Sequence, residues 1–300
     1  MKVVIIGGVA GGATAAARIR RLDERAEIVM LERTGYVSYA NCGLPYYVGG
    51  TIGEEDALTL QTPQSFFARY RVDVRVGHEA VKIDRAGRRV TVRDLATGRT
   101  YEESYDKLLL APGAKPVIPA AAQTADPRVF TLRTVEDTLA LHDFVAGNKP
   151  RTAVVVGGGF IGLETAENLV RRGVRVTLIQ RGDHVLAPLD RDMACFLHAE
   201  LIAHGVDLRL NTPFEGLRAE KQLTVCTKNG EINADLAVIA LGVTPDTQLA
   251  KEAGLELGMK ESIVTDAHMR TSDPDIYAAG DAVEVRHFVT GAKALIALAG

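Results

Sequence analysis

Cys42, in the run Ser38-Tyr39-Ala40-Asn41-Cys42-Gly43-Leu44-Pro45-Tyr46-Tyr47, is the residue that speaks most directly of chemistry. The other two cysteines, Cys195 and Cys226, are far away in sequence, so no internal Cys-x4-Cys pair can form. A thiolate in this setting attacks a sulfur brought by the substrate, or cycles through an oxidised acid of its own. Cys195 lies in an amphipathic run and Cys226 in an alternating one, so both are expected to pack in the core. Three sparse cysteines make neither a disulfide framework nor a metal cluster, and they fit a reducing cytoplasm.

Two glycine turns could cradle phosphates. Gly157-Gly158-Gly159-Phe160-Ile161-Gly162 is a full GxGxxG between a β-branched run and a helix. Gly157 permits the tight turn, Gly159 lets a pyrophosphate approach, and Gly162 lets helix and strand close up. The helix start then attracts the anion. Gly7-Gly8-Val9-Ala10-Gly11-Gly12 is its counterpart, with Val9 where the second glycine is expected. Glu32, 20 residues after Gly12 at the end of a strand, is placed to accept ribose hydroxyls. The later unit has Gln180-Arg181 there. Gln180 serves a 2′-hydroxyl and Arg181 a 2′-phosphate, which leaves NADH and NADPH both open. A third turn, Gly280-Asp281, follows a strand and could hold a polyol chain through Asp281. Two mononucleotide folds plus this turn imply a flavin in one domain and a nicotinamide in the other.

The elements that must position these groups read as two strand-turn-helix-strand units. The first has strands over 2–6 and 27–31 with a helix over 13–22. The second has strands over 152–156 and 175–179 with a helix over 163–172. Strand-like runs at 73–76, 89–92 and 107–110, and at 207–210, 222–225 and 236–239, complete two α/β domains, each with a small antiparallel insertion. Chain-breaking stretches at 111–116 and 241–245 mark hinges. They divide the chain into residues 1–112, 113–241 and 242–300, the middle domain being inserted into the first.

The chain resembles the coenzyme A-disulfide reductase and NADH-dependent persulfide reductase branch of the FAD-dependent pyridine nucleotide-disulfide oxidoreductases. The resemblance rests on Gly7 to Gly12, Ser38 to Tyr47, Ala111-Pro112-Gly113, Gly157 to Gly162 and Ala279-Gly280-Asp281. It implies an α/β fold of two Rossmann-like domains, FAD in the outer one and NAD(P)H in the inserted one, with Cys42 near the flavin. It adds Arg33, Asn41, Val81, Ala111, Arg133, Glu164 and Gly242 to the cofactor-binding set. Substrate contacts by the same resemblance are Thr14, Arg18 and Arg21 on the first helix, with Ser38 and Asn41; the two arginines share a face and could clamp coenzyme A phosphates.

The implied reaction is NAD(P)H-dependent reduction of a coenzyme A disulfide, persulfide or polysulfide through FAD and Cys42. Oxidases and peroxidases of the same family typically carry a histidine in the first glycine turn, where this chain reads Val9-Ala10-Gly11, which favours sulfur substrates. A flavoprotein electron donor to a ferredoxin or rubredoxin is the remaining alternative. Such proteins continue past the equivalent of Gly300 with a dimer-forming domain, so a homodimer is expected of a full-length form.

With 300 residues and a net charge of -3, the chain has ample length for two cores and no electrostatic case for nucleic acid or a membrane surface. No apolar run reaches transmembrane length.

Overall fold

The computed structural model describes residues 1–296; the last four residues of the expected third segment lie outside the described residues. The chain forms two compact units. The first comprises residues 1–40, 59–115 and 244–300, and the second residues 41–58 and 116–243. The segment 41–58, expected from sequence within the first domain, thus groups with the second unit.

In the first unit, β1 (Lys2–Ile6) runs into α1 (Ala10–Leu22) and β2 (Glu27–Glu32). Residues 41–58, with the short helix α2 (Leu44–Val48), then leave this unit. The chain returns in α3 (Pro63–Tyr70) and β3 (Asp73–Val76). An antiparallel sheet of β4 (His78–Asp84), β5 (Arg89–Asp94) and β6 (Thr100–Ser104) follows, then β7 (Lys107–Leu110). The main sheet is parallel, in the order Ile276–Ala278, β7, β1, β2, β3. Both of its faces are covered, which is why β1, β2 and β7 read as continuous apolar runs. Val4, Ile6, Val29, Leu31, Leu108 and Leu110 pack on one side against Ile83, Val90 and Val92 of the antiparallel sheet. Val3, Ile5, Ile28 and Met30 pack on the other against Ala13 and Ala16 of α1 and Phe66 of α3.

The second unit repeats the plan. Its elements are β8 (Val129–Phe130), α4 (Val135–Asn148), β9 (Thr152–Val156), α5 (Phe160–Arg171), β10 (Arg175–Ile179) and α6 (Arg191–Ala203). They continue with β11 (Asp207–Arg209), an antiparallel sheet of β12 (Phe214–Ala219), β13 (Leu223–Thr227) and β14 (Gly230–Ala234), and β15 (Leu236–Ile239). The parallel order is β11, β10, β9, β15, β8. Each unit therefore reverses strand order beside its first strand, between β1 and β7 and between β9 and β15. Ligands of open α/β sheets bind at the carboxyl ends of the strands at such a point.

Three expectations need correction. α1 and α5 start at Ala10 and Phe160, three residues earlier than the glycine clusters suggested, because the last half of each cluster already forms the first helical turn. Cys195 is exposed on α6 rather than buried, and Cys226 is half-buried on β13. α6 turns only Ala194 fully inward and leaves Met193 and Phe196 on the surface. Among the described residues, no helix is long and apolar enough to cross a membrane.

Candidate active site

The first cradle is built where β1 ends. Gly7 has φ +99, and a Cβ there would lie 2.0 Å from the Ala111 carbonyl oxygen at the end of β7. Only glycine fits a left-handed backbone pressed against a neighbouring strand. A Cβ on Gly12 would fall 1.8 Å from the Gly7 carbonyl oxygen, so helix and turn close directly on one another. Gly11 faces the backbone of Ala279, which in turn donates its N–H to Leu110 O at 2.9 Å. The Gly280-Asp281 turn, with Gly280 at φ +82, is thereby held beside the first turn of α1. Val9 is the cap residue of α1.

Glu32 ends β2 almost fully buried. Its Oε2 accepts the Gly8 N–H at 2.7 Å and its Oε1 accepts the Thr34 N–H and hydroxyl at 2.9 Å each. Glu32, Arg33, Val81 and Pro112 line a cavity of about 270 Å³ that reaches Gly7. Arg33 reaches across its rim to Asp246 at 2.8 Å. Asp246 was not foreseen from sequence; no local motif marks it.

The second cradle matches the first. Gly157 has φ +113 and a Cβ there would lie 2.3 Å from the Ala240 carbonyl oxygen. Gln180 takes the place of Glu32, its Oε1 accepting the Gly158 N–H at 3.1 Å and its amide donating to His184 O at 3.2 Å. A Cβ on Gly159 would meet nothing within 4 Å, so the space above that residue is open. Phe160 stands 59% exposed at the start of α5, followed by Ile161. Gly242, at φ +100, lies just past Ala240 as Gly113 lies past Ala111. That repeated Ala-x-Gly after a strand is the signal by which Ala240 could have been found. Arg133 precedes α4, its N–H donated to the Asp137 carboxylate.

Helix ends show what each turn is for. α3 and α4 are closed by capping boxes, Thr62 with Ser65 and Thr134 with Asp137. α1 and α5 have neither a side-chain cap nor an acidic residue in the first turn. Their amino ends therefore present backbone donors and positive dipole to an incoming anion.

Cys42 is exposed in the 3-10 turn Asn41–Gly43 at the head of α2, in the second unit. α2 packs against α4 and α5. Its Tyr47 ring lies 4.8 Å from the His142 ring, and Gly49 abuts the buried Asn168. Tyr46 lies in the field of Glu167, which with burial and then Glu164 pushes its phenol up. Burial, then Glu167, raises the Glu164 carboxyl.

Thr14, Arg18 and Arg21 are exposed on α1 at spacings that share one face. Among the described residues neither Arg18 nor Arg21 has an ion pair or side-chain hydrogen bond, whereas Arg20 donates to the carbonyls of Tyr70, Asp23, Glu24, Ala26 and Arg71. Arg20 is a structural clamp, and its two neighbours are left available. Ser38 has φ 52, donates its N–H to Gly8 O at 2.8 Å and accepts from Leu60 N at 2.8 Å.

A family model described as pyridine nucleotide-disulphide oxidoreductase matches residues 1–295. The chain belongs to that family. Its members use FAD and NAD(P)H, and both cradles fit such groups by their uncapped helix starts and the open space at Gly159. The chain is 36% identical over 283 residues to the coenzyme A disulfide reductase of Staphylococcus epidermidis, covering 94% of this chain and 63% of that one. It is 36% identical over 300 residues to the NAD(P)H coenzyme A polysulfide/persulfide reductase of Pyrococcus horikoshii, covering 99% and 66%. The crystal structure of reduced Bacillus anthracis CoADR-RHD superposes with a TM-score of 0.95 at 44% identity, covering 99% of this chain and 54% of that one. The chain thus spans roughly two thirds or less of these relatives.

Proposed function

We propose that the chain is the dinucleotide-binding part of an NAD(P)H-dependent flavoprotein that reduces a coenzyme A disulfide, persulfide or polysulfide at Cys42. The observation that carries this reading is the exposed Cys42 in a chain with no nearby second cysteine, together with the printed activities of the staphylococcal and Pyrococcus relatives. When bound, FAD accepts electrons from the nicotinamide and makes them available to sulfur.

The residues for each task follow from the two cradles. Gly7 to Gly12, with Ala111 and Asp281, would hold FAD, and Glu32, Arg33 and Val81 would surround its ribose end. Gly157 to Gly162 would take the nicotinamide pyrophosphate and Gln180 its ribose, with Glu164 and Gly242 bordering the crevice. Thr14, Arg18, Arg21, Ser38 and Asn41 are proposed to hold the coenzyme A moiety, Arg18 and Arg21 through its phosphates. Cys42, as the thiolate, attacks the outer sulfur of the substrate and forms a mixed disulfide while the first thiol or hydrosulfide leaves. Two electrons then cleave that mixed disulfide and restore the Cys42 thiolate. Sparse, unpaired cysteines suit a cytoplasmic setting for such chemistry.

The test is anaerobic reoxidation. The flavin-loaded protein is reduced with one equivalent of NADH and mixed with coenzyme A disulfide or persulfide. Fast reoxidation that disappears in Cys42→Ser is expected. Reoxidation by peroxide or dioxygen alone would move the chain to the oxidases of its family.

A further inference from the structure

The second unit holds a cationic cleft that its nucleotide chemistry does not use. It has a volume of about 660 Å³, within the ~300–1,000 Å³ usual for small-molecule pockets. Its floor is Val145 and Val174, and Lys149, Arg151, Arg172 and Arg175 line it without a carboxylate among the lining residues. Among the described residues none of these four side chains has an ion pair, although Arg128, Arg191, Arg209 and Arg218 of the same unit each have one. The nearest acid is Asp235, whose carboxylate is occupied by the N–H groups of Arg151 and Thr152 at 2.7 and 3.0 Å.

Two of the four cations have a local reason to be there. Lys149 and Arg172 terminate α4 and α5, where a positive charge offsets the carbonyl end of a helix. Arg151 and Arg175 have no such reason, since they stand at the starts of β9 and β10. Four like charges around one apolar floor repel one another unless an anion joins them. Three guanidiniums offer paired donors matched to phosphate oxygens, and the cleft is too small to bury a folded partner.

We propose that this cleft binds a small oligophosphate through Lys149, Arg151, Arg172 and Arg175. It lies at the amino ends of β9 and β10, whereas the glycine turn follows the carboxyl end of β9, about 16 Å away for a five-residue strand. The site is therefore separate from the nucleotide cradle and free to be occupied with it.

Titration calorimetry of the 300-residue chain with sodium tripolyphosphate at physiological salt tests this, with and without saturating NADH. One site is expected, weakened at least about tenfold in the double variant R172Q/R175Q. It should be unchanged in K221Q/K228Q, which removes two exposed cations of the same unit outside the cleft, and unmoved by NADH. Equal affinity in R172Q/R175Q, an equal loss in K221Q/K228Q, or no binding at all would overturn the proposal. So would displacement by NADH, which would place the anion at the glycine turn, or preferential binding of a polyglutamate peptide. Matching thermal unfolding of the variants and the parent shows that the comparison is between folded proteins.

Discussion

The Glu32 carboxylate and the Gly8 amide are joined by a 2.7 Å hydrogen bond, so the glycine turn and the ribose-binding position of the first cradle form one piece. Gln180 repeats the bond to Gly158 at 3.1 Å with a neutral amide. The difference between the two is charge alone. Glu32→Ala removes the acceptor of three protein donors as well as the proposed ribose contact. Flavin affinity should fall ~10- to 100-fold, the usual effect of losing a charged hydrogen bond. Flavin-to-protein absorbance ratios after gel filtration read it directly, and full occupancy in the variant would remove Glu32 from the flavin site.

Gln180→Glu should leave NADH binding near its parental strength and weaken NADPH, because a carboxylate repels a 2′-phosphate that an amide tolerates. Fluorescence titration with each nucleotide separates the two. Equal losses for both would mean that Gln180 acts on the turn and not on the ribose.

Gly157 and Gly159 should fail in different ways. Gly157→Ala drives a Cβ to 2.3 Å from the Ala240 oxygen on a left-handed backbone, so the fold itself must give way. A drop in stability of a few kcal/mol is expected by analogy with other positive-φ replacements, of order ~1–3 kcal/mol or more. Gly159→Ala meets no protein atom. Its Cβ would enter only the space proposed for the pyrophosphate, so nucleotide binding should fall while the urea midpoint holds. Loss of stability in Gly159→Ala would contradict that division.

Much of this was legible in the chain. Strand runs such as Lys2–Ile6 and Thr152–Val156 are continuous in apolar residues because both sheet faces are covered, and the glycine turns punctuate them. Gly7, Glu32, Gly157 and Gln180 could be placed for that reason: local sequence fixes a turn that hydrogen bonds then complete. What stayed hidden depends on distant packing. Asp246 meets Arg33 from more than two hundred residues away. The four cations of the cleft are spread over 149–175 and look like ordinary surface charge until two helix ends and two strand starts bring them together. Cys195 was misjudged because an amphipathic helix pattern does not say how far its apolar stripe extends. α6 buries little beyond Ala194.

Glu164 carries a stability signature in pH. Burial first, and then Glu167, holds its carboxyl above the ordinary 4.5 in the folded protein. The folded state therefore keeps a proton that the unfolded chain releases sooner, and stability falls as pH rises from about 4.5 through the folded value. Glu164→Gln keeps the shape and removes the titration. The variant should gain on the parent at pH 7.5 and match it more closely at pH 4, read by thermal melts at both. A difference that does not change with pH would mean that Glu164 is not held protonated by its surroundings.

Gly49 fixes the cysteine segment to the second unit through a contact that sequence could not show. A Cβ on Gly49 would stand 1.9 Å from Oδ1 of Asn168, which is fully buried and bonded through its Nδ2 to Glu164 O at 2.8 Å. That Oδ1 has no hydrogen-bond partner in its buried position, so the amide is retained at some cost while α2 presses against α5. Gly49→Ala should destabilise by ~1–3 kcal/mol, the range for overpacking. Asn168→Ala removes the clashing amide together with the orphaned acceptor, and the double variant should recover much of the loss, with a coupling of ~1 kcal/mol or more. Urea unfolding of the parent, the two single variants and the double variant closes the cycle. Strict additivity would show that α2 is held by other contacts, such as Tyr47 on His142. A coupled result would tie the placement of Cys42 to α5, the helix whose first turn is proposed to receive the nicotinamide pyrophosphate.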